Sequence, residues 1–183
     1  MPACLKREDC VLLCIDFQER LLQKIHMAEE IVKNAAVMVN SAKTLNVPII
    51  VTEQYPKGLG KTDKRLVEAL GNWYKPIEKV YFNCFKSGEF VNELEKHKRR
   101  SLLTMGVEAH ICVTQTALGA LKRNYQVYLL EDATSSRTPE NRRIAFDRMV
   151  NEGVVPTSVE MVIYEMLEKS GTEEFKKILN FVK

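Results

Sequence analysis

Cys112 stands in the run "GVEAHICVTQTA" (106–117), behind a glycine-led segment and just ahead of residues that should begin a helix. A free thiol has a pKa of about 8.5, and a helix N-terminus or a nearby cation lowers that to roughly 3.5–7.5. Backbone amides at the same helix start can hold the oxyanion formed when a thiolate attacks a carbonyl. The spacing thus offers a nucleophile and an anion site together. The competing reading is a small apolar core residue, since cysteine is among the most buried types. A base must take the thiol proton. His110 lies two residues before Cys112, but residues two apart do not face each other on a helix, so it reads as an exposed or loop histidine. His26 and His97 fall in charged, surface-like surroundings. Asp16, directly after an apolar run, is the other candidate base. In "DFQERL" it also fits a helix cap, and both readings stay open.

These residues need a scaffold, and the periodicities supply one. Apolar runs of strand length occur at "CVLLCI" (10–15), "VPIIVT" (47–52), "KVYFN" (79–83), "SLLTMG" (101–106) and "QVYLLE" (126–131), with "VVPTS" as a short sixth. Between them lie helical segments: about 27–45, "GEFVNELEKH", about 111–123, "TPENRRIAFDRMVNEG", and two closing helices near 158–168 and 172–182. This alternation predicts an α/β, three-layer sandwich with a central, mostly parallel six-stranded sheet, Rossmann-like in arrangement, as a single domain over 1–183. "TEQYPKGLGKTDK" (52–64) reads as an ordered loop over a site. Ligands of such sheets sit outside the strands' carboxyl ends. That edge would gather Asp16, Glu53, Gln54, Cys112 and, after the fifth strand, Asp132.

Composition narrows the function. The net charge of +3 is modest, and the one dense basic run, "KHKRR" (96–100), has no interleaved aromatics for stacking bases. No nucleic-acid partner is expected. No apolar run approaches the roughly 18 residues of a membrane span, and "MPACLKREDC" does not read as a secretory signal, so a cytoplasmic protein without a membrane partner is expected. Five cysteines without CxxC spacing read as reduced thiols, not as a disulfide framework or a zinc site.

Several segments carry a resemblance in characteristic order: "LLCIDFQERL", "TEQYPKGLG", "EKVYFNCF", "GVEAHICVTQTALGAL", "VYLLEDATSSR" and "TSVEM". Over about residues 8–168 the chain resembles the isochorismatase-like cysteine hydrolase superfamily, in its isochorismatase domain-containing branch. The resemblance implies a catalytic triad of Asp16, Lys79 and Cys112. Lys79 comes from the resemblance alone; by itself it reads as a solvent-facing lysine at a strand start. It also implies a non-proline cis peptide at Val107–Glu108 and an oxyanion hole from the Glu108 and Cys112 amides. Nicotinamidases of the superfamily carry aspartate and histidine metal ligands after the second strand. "TEQYPKGLG" has neither, so no metal and no cofactor are expected. Phe17, Gln18, Gln54, Tyr55 and Phe82 are candidate pocket residues by position, Phe17 and Phe82 fitting a plain core equally well.

The expected activity is hydrolysis of a small amide-type C–N bond through a thioester, with the physiological substrate unnamed. The alternatives are hydrolysis of an ester or an isochorismate-type vinyl ether, or a non-catalytic binding or scaffold protein that keeps the fold. Isochorismatases proper do not need the cysteine. "VEMVIYEML" (159–167) is apolar beyond what one covered helix face requires. It predicts a homo-oligomer with Met161–Leu167 in a subunit contact.

Overall fold

Six consecutive buried residues, Cys10–Ile15, form the central strand. Cys10, Leu12 and Cys14 enter one apolar cluster, while Val11, Leu13 and Ile15 enter another. A strand covered on both faces requires that alternation. The computed structural model describes residues 4–182. Its strands are β1 (Cys10–Ile15), β2 (Ile49–Gln54), β3 (Ile77–Lys79), β4 (Ser101–Gly106), β5 (Gln126–Thr134) and β6 (Val155–Thr157). All pair in parallel, in the order β3-β2-β1-β4-β5-β6.

The helices are α1 (Glu19–Leu22), α2 (Ala28–Thr44), α3 (Pro56–Leu59), α4 (Lys64–Leu70), α5 (Gly88–Lys96), α6 (Thr114–Leu121), α7 (Pro139–Asn151), α8 (Val159–Leu167) and α9 (Glu173–Val182). One face of the sheet is covered by α2, α4, α8 and α9 through residues such as Met38, Leu66, Ile163 and Ile178. The other is covered by α5, α6 and α7 through Phe90, Leu94, Ala117 and Met149. The predicted three-layer α/β fold is the observed one.

The differences have local causes. The third strand is Ile77–Lys79 and not 79–83: it ends at Lys79, and Val80, Tyr81 and Phe82 turn outward with 68%, 52% and 50% exposure. Their β-branched and aromatic character imitates a strand without a neighbour to pair with. β2 begins two residues later than expected because Pro48 has no amide for the ladder, although its carbonyl accepts from the Leu12 amide. β5 continues to Thr134, so Asp132 lies inside the strand and not after it. The 52–64 loop contains α3, entered through Pro56 at its first position, where a missing N–H costs nothing.

α8 carries less exposed apolar surface than the interface expectation assumed. Val159, Val162, Ile163, Met166 and Leu167 are buried, and Tyr164 meets Phe175 of α9 edge to face. The apolar excess is absorbed inside the chain, leaving only Met161 and Tyr164 exposed, at 55% and 42%.

Candidate active site

The strand order reverses between β1 and β4, and the carboxyl ends of these two strands open the crevice where such sheets bind ligands. They approach closely here. A Cβ on Gly106 (φ +139) would lie 2.1 Å from the Ile15 carbonyl oxygen, so only glycine fits. The next amide, Val107, donates to that same oxygen at 3.0 Å.

Asp16 follows β1 in the left-handed region, at φ 54, which aspartate visits more readily than most residues. Its Oδ2 accepts from Lys79 Nζ at 2.8 Å, with both side chains at 0% exposure. Its Oδ1 accepts from Thr52 Oγ1 at 2.7 Å. Lys79, the last residue of β3, also donates to Gln54 Oε1 at 2.8 Å and lies 3.8 Å from Cys112 Sγ. Three elements far apart in sequence thus bring a carboxylate, an ammonium and a thiol into one buried cluster.

Burial works against the Lys79 ammonium, but the Asp16 carboxylate, joined by the Cys84 and Cys112 sulfurs when they ionise, outweighs it and holds the lysine above its ordinary value. For Cys112, burial and then the Asp16 charge push the thiol well up, and the opposing pull of Lys79 does not prevail. Against the expectation of a thiol lowered by its helix start, burial and the facing carboxylate both favour the protonated form of Cys112. A second thiol belongs to the same neighbourhood. Cys84 is fully buried, and burial pushes it up to about 11 while Lys79 pulls it down and Asp16 pushes it up. In sequence it looked like any apolar residue of "NCF".

Cys112 sits in a π-helical turn, Ala109–Val113, that leads into α6. The sequence predicted an ordinary helix from about 111. The Ile111 and Val113 amides both donate to the Glu108 carbonyl, at 3.0 and 3.3 Å, and the Ala109 amide donates to Ser135 O at 2.8 Å. Wide turns of this kind occur often at functional sites. The Val107–Glu108 peptide is cis. The Glu108 carboxylate points away to Arg137, accepting from its backbone N at 3.1 Å and its Nε at 2.9 Å. His110 is partly buried, and its Nδ1 meets Ser136 Oγ at 2.9 Å. It is neither exposed nor engaged with Cys112.

The pocket candidates divide. Phe17 is buried in the apolar core. Gln18 is fully buried, and its carboxamide is consumed by the Gln54 backbone and the Gly60 carbonyl, so it braces the loop. Gln54 faces Lys79. Tyr55 and Phe82 are half exposed, and Tyr55 borders a groove of about 520 Å³ that reaches Lys79, Tyr81 and Lys86. Glu53 Oε1 accepts from Thr62 N, Thr62 Oγ1 and Tyr74 OH, which ties down the 52–64 loop. Asp132 does not join the cluster; its Oδ1 accepts from the Val159 amide at 2.9 Å. Among the described residues no group of three or more His, Cys, Asp or Glu side chains is placed to hold a metal ion, and no helix is long and apolar enough to cross a membrane.

The comparisons with known proteins agree with this architecture. The family model for the isochorismatase domain matches residues 10–161. The secreted isochorismatase effector Isc1 of Phytophthora sojae is 36% identical, over 94% of this chain and 84% of that protein. Isochorismatase domain-containing protein 1 of Salmo salar is 34% identical over 94% of this chain, which spans only 60% of that relative. Among solved structures, the MAR1 ribonuclease of Caenorhabditis elegans superposes with a TM-score of 0.91 at 32% identity, covering 98% of this chain and 92% of that one. The YcaC gene product of Escherichia coli, described as an octameric hydrolase of unknown specificity, shares the fold at 22% identity. With the matched domain spanning every strand of the sheet and the cluster at its switch point, the chain belongs to the isochorismatase family of hydrolases.

Proposed function

We propose that the chain hydrolyses a small amide-type C–N bond through a thioester on Cys112. The observation that carries this reading is the buried ammonium of Lys79, which touches both the Asp16 carboxylate and the Cys112 thiol. A protonated thiol beside a carboxylate needs no pre-formed thiolate. Asp16 takes the proton as sulfur attacks the carbonyl carbon, and the carbonyl electron pair becomes an oxyanion. The Cys112 and Glu108 amides are the proposed donors to that oxyanion. Collapse expels the amine, which receives the proton from Asp16, and leaves a thioester. Water, giving its proton to Asp16, then attacks the thioester and releases the acid and the thiol. Lys79 stays charged throughout and keeps the carboxylate from being an unpaired buried ion.

A small-molecule substrate is favoured over a nucleic acid. The basic run 96–100 lies at the amino end of β4, opposite the site, and three of its cations are already engaged. Lys96 pairs with Glu93, Arg99 donates to the Arg7 and Cys10 carbonyls, and Arg100 lies over the Tyr125 ring. A reducing, cytoplasmic setting suits five free cysteines. A homo-oligomer remains our proposal, supported by the outward Val80, Tyr81 and Phe82 near the site and by Met161.

The test is a panel of small amides and carbamoyl compounds read by ammonia release, with esters and vinyl ethers alongside. Turnover of an amide should fall by at least about a thousandfold in each of Cys112→Ala, Asp16→Asn and Lys79→Met, and hydroxylamine should trap the thioester in the unaltered chain. Turnover of a vinyl ether that survives Cys112→Ala would replace this mechanism. No turnover of any member would favour a binding protein.

A further inference from the structure

Gln54 lies one position before the αL turn at Tyr55 and beside Lys79 in the β2–β3 ladder. Its carboxamide can be oriented in only one way. The oxygen accepts from Lys79 Nζ at 2.8 Å, and the nitrogen donates to the Val80 carbonyl at 2.8 Å. A flipped amide would set two donors against each other at Lys79 and two acceptors at Val80. The residue is itself held. Gln18 Oε1 accepts from the Gln54 backbone amide at 2.7 Å, and Gln18 Nε2 donates to the Gln54 carbonyl at 3.0 Å. Gln18 lies two residues after Asp16, so the loop that carries the carboxylate also braces the residue that holds the ammonium.

The three protons of the ammonium have three partners: Asp16 Oδ2, Gln54 Oε1 and Cys112 Sγ. Without Gln54, one donor is left buried and unsatisfied, and a flexible four-carbon stem has no reason to keep its charge between the other two. Thr52 works from the same face of β2, two residues earlier, on Asp16. We propose that Gln54, clamped by Gln18, is the positioning residue that fixes the Lys79 charge against the Cys112 thiol. The inference rests on the hydrolase reading of the cluster and assigns the two glutamines roles that pocket lining does not capture.

The test needs no substrate. The rate of Cys112 alkylation by iodoacetamide, quantified on the Cys112 peptide across pH, reports how far Lys79 favours, and the Asp16 charge opposes, loss of the thiol proton. Gln54→Met, close in size but without the amide, should slow alkylation about tenfold at neutral pH and move the profile up by about one unit. Lys79→Met should act in the same direction, and the double variant should go no further than Lys79→Met alone, since Gln54 acts only through the lysine. Thermal melts establish that each variant folds, and Lys79→Gln, which also removes the charge but keeps a polar head, stands in if Lys79→Met does not. An unchanged profile in Gln54→Met beside a shifted one in Lys79→Met overturns this inference alone, as does full additivity in the double variant. An unchanged profile in both Lys79→Met and Asp16→Asn overturns the reading of the site and this inference with it.

Discussion

Asp16, directly after β1, and Asp132, near the carboxyl end of β5, are both at least partly buried, and they do different things. Asp16 faces a buried ammonium and a thiol at the point where the strand order reverses. Asp132 lies near the end of β5, where its Oδ1 accepts the Val159 amide at the start of α8, and burial raises it above the ordinary carboxylate range. One carboxylate is paired with a charge that it needs and that needs it. The other satisfies a helix end. The contrast teaches that a strand-end position does not make a chemical site; the partner that the topology delivers does.

The largest expected effect tests the pairing itself. Lys79→Met leaves Asp16 as a buried, uncompensated charge and should cost about 3–5 kcal/mol of unfolding free energy by urea titration. Adding Asp16→Leu should recover much of that. A cost no greater than that of an exposed lysine would mean that the two groups are not desolvated together.

An effect of the thiols comes next. Cys84, beside Asp16, is held protonated up to about 11, and Cys10 up to about 12, both chiefly by burial. In the unfolded chain these thiols ionise from about pH 8.5. Between those values the folded state binds more protons, so stability falls as pH rises. The raised Lys79 acts in the same direction. The midpoint of thermal unfolding should be flat around neutrality and decline from about pH 9 upward, with a shallower decline in Cys84→Ala. A flat midpoint to pH 11 would contradict the burial of these thiols.

The smallest effect belongs to the other aspartate. Asp132→Ala should cost only about 1–2 kcal/mol, the value of one charge-assisted hydrogen bond at a helix start, and should leave turnover unchanged. A loss of turnover comparable to that of Asp16→Asn would erase the distinction between the two ends of the sheet.

The sequence determined the order of elements and the covering of the sheet, because apolar period and length are local properties of the chain. β1, β4 and α2 are legible to within a residue or so for that reason, and so is Cys112 at a helix start. A resemblance, and no periodicity, singled out Lys79. What only the tertiary structure decided are matters of partner and solvent. It turned Val80–Phe82 outward instead of into a strand, and it buried five residues of α8 within the chain. It gave Gln18 a bracing role between Gln54 and Gly60, and it surrounded the Cys112 thiol with burial and a carboxylate that favour its protonated form where a helix start alone argued for a thiolate. The physical reason is common to all of these. Burial, hydrogen-bond satisfaction and the field at a thiol depend on residues brought together from Asp16, Thr52, Lys79 and Cys112, and no stretch of sequence contains them side by side.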